Sequence, residues 1–393
     1  MMPEGFQLPH KCWKLIKALY GLRISPKLWK QEATRVFIAS ELKPVPEDPC
    51  VFVGDGIIIW FYVDNILIAN FPSKRNAAEK LEGELEKQWE LTDHGDAAWF
   101  LGIRLLRDRR RRRLWLCQDY YIQSIAMRYH LTTRSPVYTP LTTEELRKYE
   151  GTASAQDTKL YQGNVGSVQY ATTATRPDAA FAASKLSQFL TNPGPEHHRA
   201  IDRLICYLLT TCYHAITYCG AEEISRTVLK SVEFASDAAY GDMSDRRSSA
   251  GYIIQVYGGP VDWKAVKQPT VTTSTTEAEL VALADSGKSL QWWKCFMQGI
   301  GFDPGHRLST RCDNKQTVNL MSSEDAKITT KLRHVDINGH WIRQEVKGGR
   351  IDLEWTPTGK MVADGLTKAL TRPKHEEFLT MLRRENVKDL IDP

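Results

Sequence analysis

The chain has 393 residues, of which 42% are hydrophobic and 25% charged, and its formal net charge is +5. This composition is that of an ordinary globular protein with two to three domains, and the mildly basic balance is compatible with an acidic polymer as partner. The eight cysteines show no C-x-x-C pair and no zinc-type spacing with histidine, so we expect free thiols in a reducing compartment. No secretory signal is visible, and the longest apolar run, residues 57–69, is too short and too polar to cross a bilayer. We therefore expect no membrane partner.

The first hundred residues predict a helix, a hairpin and a second helix. Apolar residues recur at helical spacing after Pro26. The runs "GIIIW" and "ILIAN" flank "FYVDN", which predicts a β-hairpin with Asp64 and Asn65 at its tip. An amphipathic helix follows, with Ser73 as its expected N-cap.

The next hundred residues predict a second hairpin and a group of helices. "AWFLGIRLLRDRRRRRLWLC" is typical of two strands joined by an arginine-rich turn, which contains Arg109, Arg110, Arg111, Arg112 and Arg113. Such a turn is either a solvated tip or a contact for phosphate oxygens. Residues 132–160 indicate a surface connection, and residues 160–213 are mostly helical with interruptions at "TRPD" and "NPGPEHH".

From residue 229 the pattern predicts a mixed α/β sheet. A strand ends in Asp237, two further strands meet at Gly258, and a long helix follows. Strand, short helix, helix and strand then alternate, and "MVADGLTKAL" begins the last predicted helix.

Four acidic residues of this half fall at predicted strand ends or helix starts: Asp237, Glu279, Asp313 and Asp364. Carboxylates that converge from several elements are the hard oxygen ligands that Mg²⁺ prefers, and two such ions can activate water on a phosphodiester. Each residue alone is equally explained as a cap or as part of a solvated helix face. Spacing along the chain leaves both possibilities open.

Many collinear motifs resemble the Pol polyprotein of copia-type LTR retrotransposons. They include "KALYGLRISPKLW", "FYVDNILIA", "FLGIRLL", "ASDAAYGDMSDRRSSAGYIIQ", "WKAVKQPTVTTSTTEAELVALA", "RCDNKQTVNL" and "VADGLTKAL". The resemblance implies an α/β (α+β) fold: a partial reverse-transcriptase palm with a helical connection, then an RNase H-like mixed five-stranded sheet with flanking helices. The implied domains are a palm region at 1–105, a thumb or connection at 106–228, an RNase H-like domain at 229–375 and a helical tail at 376–393.

The resemblance also implies a nuclease site. The family's four RNase H carboxylates fall on Asp237, Glu279, Asp313 and Asp364, with Mg²⁺ or Mn²⁺ as cofactor and an RNA–DNA hybrid as substrate. Glu277 is the alternative to Glu279, which we favour because "LVALA" follows it as in the family. The resemblance further implies other Pol segments as partners, in the nucleus or in a cytoplasmic virus-like particle.

The polymerase signature of the family departs from its pattern here. "FYVDN" resembles Tyr-Val-Asp-Asp, but Asn65 replaces the second aspartate, and the family's third carboxylate belongs to a strand expected before Met1. An amide keeps an oxygen but has no charge to offset the ions. We therefore expect an incomplete and inactive polymerase site. The alternatives to an active RNase H are a non-catalytic nucleic-acid-binding module and a decayed transposon fragment.

Overall fold

The computed structural model describes residues 16–220, 223, 230–243, 245–323 and 333–392, and the side chains of 333–336 are outside that description. The chain divides into two compact units. The first comprises Met1–Ala97 and Cys295–Phe302, and the second comprises Ala98–Lys294 and Asp303–Pro393. No helix in the described part of the chain is long and apolar enough to cross a membrane.

Within residues 16–97 the first unit contains a four-stranded antiparallel sheet and two α-helices. Its elements are α1 (Ser25–Ala39), β1 (Lys43–Val45), β2 (Asp48–Gly54), β3 (Ile57–Tyr62), β4 (Asn65–Asn70) and α2 (Arg75–Gln88). The strand order is β1-β2-β3-β4. Apolar side chains from one face of the sheet and from both helices form a single core, which includes Phe37, Phe52, Ile59, Leu81 and Leu85. The two predicted helices and the hairpin between them are confirmed.

The hairpin differs from its prediction by one residue. Val63 and Asp64 form the turn, whereas Asn65 is the first residue of β4 and pairs with Tyr62. Val63 has a φ of 55°, which is a left-handed conformation that β-branched residues rarely adopt. The predicted N-cap Ser73 was wrong, because a 3₁₀ turn at Pro72–Lys74 precedes α2 and no side chain caps that helix.

The second unit contains two five-stranded sheets. The strands are β5 (Trp99–Phe100), β6 (Ile103–Asp108), β7 (Arg113–Cys117), β8 (His214–Tyr218), β9 (Val232–Ala239), β10 (Ser249–Val256), β11 (Gly259–Lys267), β12 (Ser309–Cys312), β13 (Asp352–Trp355) and β14 (Arg384–Asn386). The described helices are α3 (Asp119–Arg128), α4 (Ala155–Ala174), α5 (Ala180–Ser187), α6 (Pro195–Thr210), α7 (Thr275–Gly299), α8 (Lys315–Ser322), α9 (Arg333–Lys347), α10 (Arg372–Met381) and α11 (Lys388–Ile391).

One sheet joins the arginine-rich hairpin to the end of the chain. Its order is β14-β8-β7-β6-β5, with all pairs antiparallel. The predicted hairpin over β6 and β7 is confirmed. The segment 376–393 is not purely helical as predicted, because β14 lies between α10 and α11 and pairs with β8. Three residues of local sequence carry too little periodicity to indicate a strand whose partner lies 170 residues away.

Helices α3 to α6 enclose the largest buried core. Their apolar faces meet in a cluster that includes Ile122, Ile125, Val168, Leu186, Ile201, Leu204 and Leu208. The predicted interruptions at "TRPD" and "NPGPEHH" are the breaks before α5 and before α6. Each break contains a proline, whose missing N–H and fixed φ favour the first turn of the next helix.

The other sheet is the predicted mixed five-stranded sheet, in the order β11-β10-β9-β12-β13. Strands β9, β10 and β11 are antiparallel, and β12 is parallel to both β9 and β13. The long helix α7 follows β11, as the sequence predicts. The predicted mixed α/β class is therefore confirmed.

The last predicted helix begins later than expected. Residues Val362–Leu366 form a 3₁₀ turn, and α10 starts only at Arg372. Gly365 allows a close approach in this turn, since a Cβ there would lie 2.4 Å from a ring atom of Phe378. The turn thus gains tertiary packing that an α-helical pattern in the sequence does not reveal.

Candidate metal centre

Four different elements of the second unit carry the four predicted carboxylates. Asp237 lies within β9 rather than at its end, and Glu279 lies near the start of α7. Asp313 follows β12 directly, and Asp364 lies in the 3₁₀ turn. Strands β9 and β12 are neighbours in the sheet, so the positions of Asp237 and Asp313 bring both residues to the same region.

Contacts between these elements bring the carboxylates together. Single ligand atoms of Glu279, Cys312 and Asp313 lie within 4.8 Å of one another. The backbone of Ala238, next to Asp237, hydrogen-bonds to the Glu279 carboxylate. The hydroxyl of Thr367 donates to Asp237 and also to the backbone carbonyl of Asp364, at 3.1 Å.

Two further donors hold Asp313 in position. The Thr358 hydroxyl donates to the Asp313 carboxylate at 2.7 Å. The indole N–H of Trp355 donates to the backbone carbonyl of Asp313 at 3.0 Å. The end of β13 thus orients the backbone of Asp313, and the turn that follows it orients the side chain.

Burial and the closeness of the other carboxylates raise the pKa values of Glu279 and Asp237. Burial raises the pKa of Glu279 to about 9, and the charges of Asp237 and Asp313 act in the same direction. Burial also raises the pKa of Asp237 to about 6, opposed by the Thr367 hydrogen bond and assisted by the charges of Asp313 and Asp364. Glu279 therefore retains its proton at neutral pH, because the carboxylates around it are close together and poorly solvated.

One cation lies beside this negative charge. The Lys368 ammonium forms an ion pair with Asp364, four residues earlier in the chain. Burial works against the charge of Lys368, but the ion pair and the nearby charges of Asp237 and Asp313 raise its pKa overall. Lys368 thus remains charged and offsets part of the carboxylate charge.

The donor set fits a divalent cation that prefers oxygen. Asp237, Glu279, Asp313 and Asp364 offer carboxylate oxygens from four elements, and the raised pKa values indicate negative charge that a cation would neutralise. Cys312 is a poor ligand for such an ion, since burial and neighbouring carboxylates raise the pKa of its thiol. Mg²⁺ or Mn²⁺ suits these residues better than zinc.

The two alternative glutamates of α7 have different environments. Glu277 accepts hydrogen bonds from the backbone N–H and the hydroxyl of Thr273, at 2.7 and 2.6 Å, so it contacts the turn that begins its own helix. Glu279 instead faces Asp237 and Asp313. The geometry favours Glu279 as the member of the cluster.

The hairpin of the first unit presents one carboxylate. Asp64 and Asn65 are both exposed, and the Asn65 amide donates to the Asp64 carboxylate at 3.2 Å. Among the described residues, three metal-ligating side chains converge at Glu279, Cys312 and Asp313, and no such group lies at this hairpin.

The arginine run divides into two parts. Arg109, Arg110, Arg111 and Arg112 are exposed in the turn between β6 and β7. Arg113 lies in β7, and its guanidinium donates to Glu223 at 3.2 and 3.0 Å and contacts Glu385 at 3.5 Å. Arg113 is thus half-buried in an ion pair that joins distant elements, whereas the four arginines of the turn are exposed and Arg111 pairs locally with Asp108 at 3.7 Å.

Sequence reasoning missed the residues that support the carboxylates. Lys368, Thr367 and Thr358 were not predicted to act at the site. A usable signal for Lys368 is its spacing, since a lysine four residues after an aspartate is a common ion-pair arrangement. No comparable signal exists for Thr358, whose hydrogen bond joins residues 45 positions apart.

Comparisons with known proteins relate this chain to a reverse transcriptase family and to the Pol polyproteins of two plant transposons. The family described as "Reverse transcriptase (RNA-dependent DNA polymerase)" matches residues 1–143. The chain is 33% identical over 388 residues to the retrovirus-related Pol polyprotein from transposon TNT 1-94 of Nicotiana tabacum, covering 95% of this chain and 28% of that protein. It is 31% identical over 389 residues to the Pol polyprotein from transposon RE1 of Arabidopsis thaliana, covering 97% of this chain and 26% of that protein.

A weaker likeness exists to a solved structure. The LC11-RNase H1 crystallised with an RNA/DNA hybrid is 18% identical, with a TM-score of 0.27, over 35% of this chain and 93% of that one. The chain therefore spans about a quarter of the length of the two Pol polyproteins.

Proposed function

The chain belongs to the retrovirus-related Pol polyproteins of copia-type transposons, and from this premise we propose that its second unit hydrolyses the RNA strand of RNA–DNA hybrids. The observation that supports the proposal is the convergence of Glu279 and Asp313, whose ligand atoms lie within 4.8 Å of each other, with Asp237, whose charge acts on Glu279 and which Thr367 links to the turn that bears Asp364. The reverse transcriptase family matched by residues 1–143 supports a nucleic-acid substrate.

The four carboxylates would hold Mg²⁺ or Mn²⁺. Two such ions, when bound, activate a water molecule and stabilise the leaving oxygen of a phosphodiester. Neighbouring residues of the chain orient these carboxylates. Thr358 and Trp355 fix Asp313, and Thr367 links Asp237 to the turn that bears Asp364.

Hybrid recognition would depend on backbone shape and on the 2′-hydroxyl groups rather than on base sequence, as is usual for duplexes that contain RNA. The four exposed arginines of the β6–β7 turn would add a sequence-independent attraction to phosphate groups. Arg113 would contribute to this attraction less than its neighbours, because it is paired with Glu223.

We also propose that the hairpin at Asp64 and Asn65 does not support DNA synthesis in this chain. Its two polar residues offer one negative charge between them. Transfer of a nucleotide depends on metal ions held by several carboxylates, and removing one member of such a unit often costs nearly as much as removing the whole.

Cleavage of a hybrid tests the nuclease proposal. A 5′-labelled RNA strand annealed to DNA is incubated with the purified chain and Mg²⁺ or Mn²⁺. We expect cleavage that EDTA abolishes and that Asp313→Asn reduces by at least about 100-fold, because the variant loses a ligand charge.

Glu277→Gln is the matched control, since it neutralises a carboxylate on the same helix that contacts Thr273 instead of the cluster. We expect it to retain cleavage. A chain that binds the hybrid but leaves it intact under all these conditions would contradict the proposal and favour a non-catalytic binding module.

A further inference from the structure

An exposed tryptophan lies next to the carboxylate cluster and is not explained by core packing. The side chain of Trp355 is 43% exposed at the end of β13. In the parallel pairing of β12 with β13, Trp355 lies opposite Cys312, the residue directly before Asp313. A large apolar ring at such a position exposes surface that burial would normally remove from water.

The ring is held in a defined orientation by its polar edge. The indole N–H donates to the Asp313 backbone carbonyl at 3.0 Å, which ties the ring to the residue that follows β12. Because Thr358 also hydrogen-bonds to Asp313, the ring and the carboxylate belong to one connected group. The exposed face of the ring is therefore fixed close to the position where a phosphodiester would react.

A positive charge accompanies the ring. The Lys315 ammonium lies 4.1 Å from the centroid of the Trp355 ring, within the range of a cation–π interaction. Lys315 is itself exposed, at the start of α8. An aromatic face with an adjacent cation is the combination that proteins use to hold a base or sugar and its phosphate.

We propose that Trp355 and Lys315 form a nucleotide-binding subsite, in which the Trp355 ring stacks on one nucleotide of the bound strand and Lys315 contacts its phosphate. The inference rests on the proposed function, because it assigns this nucleotide to the strand that passes the carboxylate cluster. Stacking on an aromatic ring tolerates any base, so the subsite contributes affinity without sequence preference.

Binding measurements with two variants separate stacking from the structural role of the indole. Fluorescence anisotropy records the affinity for a labelled RNA–DNA hybrid in a Glu279→Gln background, which the proposed function predicts to be inactive. We expect Trp355→Ala to weaken binding about 10-fold, whereas Trp355→Phe, which keeps a ring but loses the N–H, binds within about 2-fold of the parent. Equal binding by all three proteins, or equal losses in both variants, would overturn the inference.

Trp99 provides the matched control. It is 45% exposed and lies under a cation, Arg104, at 4.3 Å, but it belongs to the other sheet of the unit. We expect Trp99→Ala to bind the hybrid as its parent does. A loss equal to that of Trp355→Ala would show that any exposed tryptophan has this effect and would contradict the subsite.

Lys315→Gln tests the charge independently of the ring. We expect the slope of log affinity against log salt to become shallower by about one, as for the loss of one phosphate contact. An unchanged slope would contradict the assignment of Lys315. If the unmodified chain fails to cleave the hybrid but Trp355→Ala still weakens binding, the nuclease proposal fails and the subsite stands. If the unmodified chain cleaves the hybrid but Trp355→Ala does not affect binding, the subsite fails and the nuclease proposal stands.

Discussion

Glu279 is the residue of the cluster whose protonation matters most for the metal-free protein. Its ordinary pKa of 4.5 is raised to about 9 by burial and by the charges of Asp237 and Asp313. Between these two values the unfolded chain releases a proton that the folded chain retains. The free energy of unfolding therefore falls as the pH rises through this window.

We expect the chain in EDTA to be less stable at pH 8 than at pH 5, and Glu279→Gln to remove part of that difference. The neutral amide has no proton to lose, so at pH 8 the variant should be more stable than the unmodified chain by about 4–5 kcal/mol, which corresponds to about 1.4 kcal/mol for each pH unit between 4.5 and 8. Urea denaturation at both pH values measures the effect. Glu277→Gln should leave the difference between the two pH values intact, and an equal change in both variants would contradict the assignment of Glu279.

Asn65 gives a second prediction at the scale of a single residue. Since the hairpin presents only the Asp64 carboxylate, we expect no primer extension on an RNA template, and none after Asn65→Asp, which restores one charge without the remainder of a metal site. The measurement is incorporation of labelled nucleotide with Mg²⁺ or Mn²⁺. Extension by the unmodified chain that Asp64→Ala abolishes would show that this account of the hairpin is wrong.

At the scale of elements, the arginine-rich hairpin of β6 and β7 carries two kinds of arginine. We expect the four in the turn to bind nucleic acid, whereas Arg113 in β7 contributes to stability. Replacing the four arginines at 109–112 with serine should make the dependence of log hybrid affinity on log salt shallower by roughly 2 to 3. This is the change expected if two or three of them contact phosphates, at about 0.9 for each contact. Arg113→Ser should change the slope little and lower stability instead, since Arg113 pairs with Glu223 and Glu385. Identical slopes for the unmodified chain and the fourfold variant would identify the turn as a solvated hairpin tip.

The elements that the sequence predicted well are those with strong local patterns. The alternation around Asp64, the apolar runs beside the arginine turn and the long periodic helix α7 each determine their own structure. The strand β14 and the 3₁₀ turn that bears Asp364 were missed, because both depend on distant partners: β8 in one case, and Phe378 packed on Gly365 in the other.

The same distinction applies to the candidate site. The acidic residues stand in recognisable motifs, so their positions could be proposed from the sequence. The raised pKa values of Glu279 and Asp237 could not be predicted, because they arise from burial and from mutual repulsion, which exist only after the elements converge. The pairing of Trp355 with Lys315 likewise joins residues 40 positions apart.

At the scale of the whole molecule, a buried ionic network joins the helical core to the end of the chain. Asp178 receives hydrogen bonds from the fully buried Arg176 and from the hydroxyl of Tyr207. Tyr207 also contacts His375 of α10 at 2.8 Å, and Arg384 of β14 lies 3.8 Å from Asp178. Asp178 of the "TRPD" motif therefore neutralises two buried arginines.

We expect Asp178→Asn to destabilise the chain by about 3–5 kcal/mol, because it leaves Arg176 and Arg384 buried without their counter-ion. Urea denaturation measures the change. Glu376→Gln removes the partner of Arg372 in an exposed pair on α10 and should cost less than about 1 kcal/mol. An equal loss of unfolding free energy in the two variants would contradict the expectation that a buried ion pair costs more to break than an exposed one.

If Asp237, Glu279, Asp313 and Asp364 together form a divalent metal site, calorimetric titration with Mn²⁺ will detect the ion that they bind. At pH 7.5 the raised pKa of Glu279, about 9, keeps its carboxyl largely protonated, so a metal ion must displace that proton. Titrations in two buffers of different ionisation enthalpy should show binding with release of about one proton, no proton release for Glu279→Gln, and weaker binding for Asp313→Asn. Absence of Mn²⁺ binding, or binding without proton release that Asp313→Asn leaves unchanged, would contradict the account.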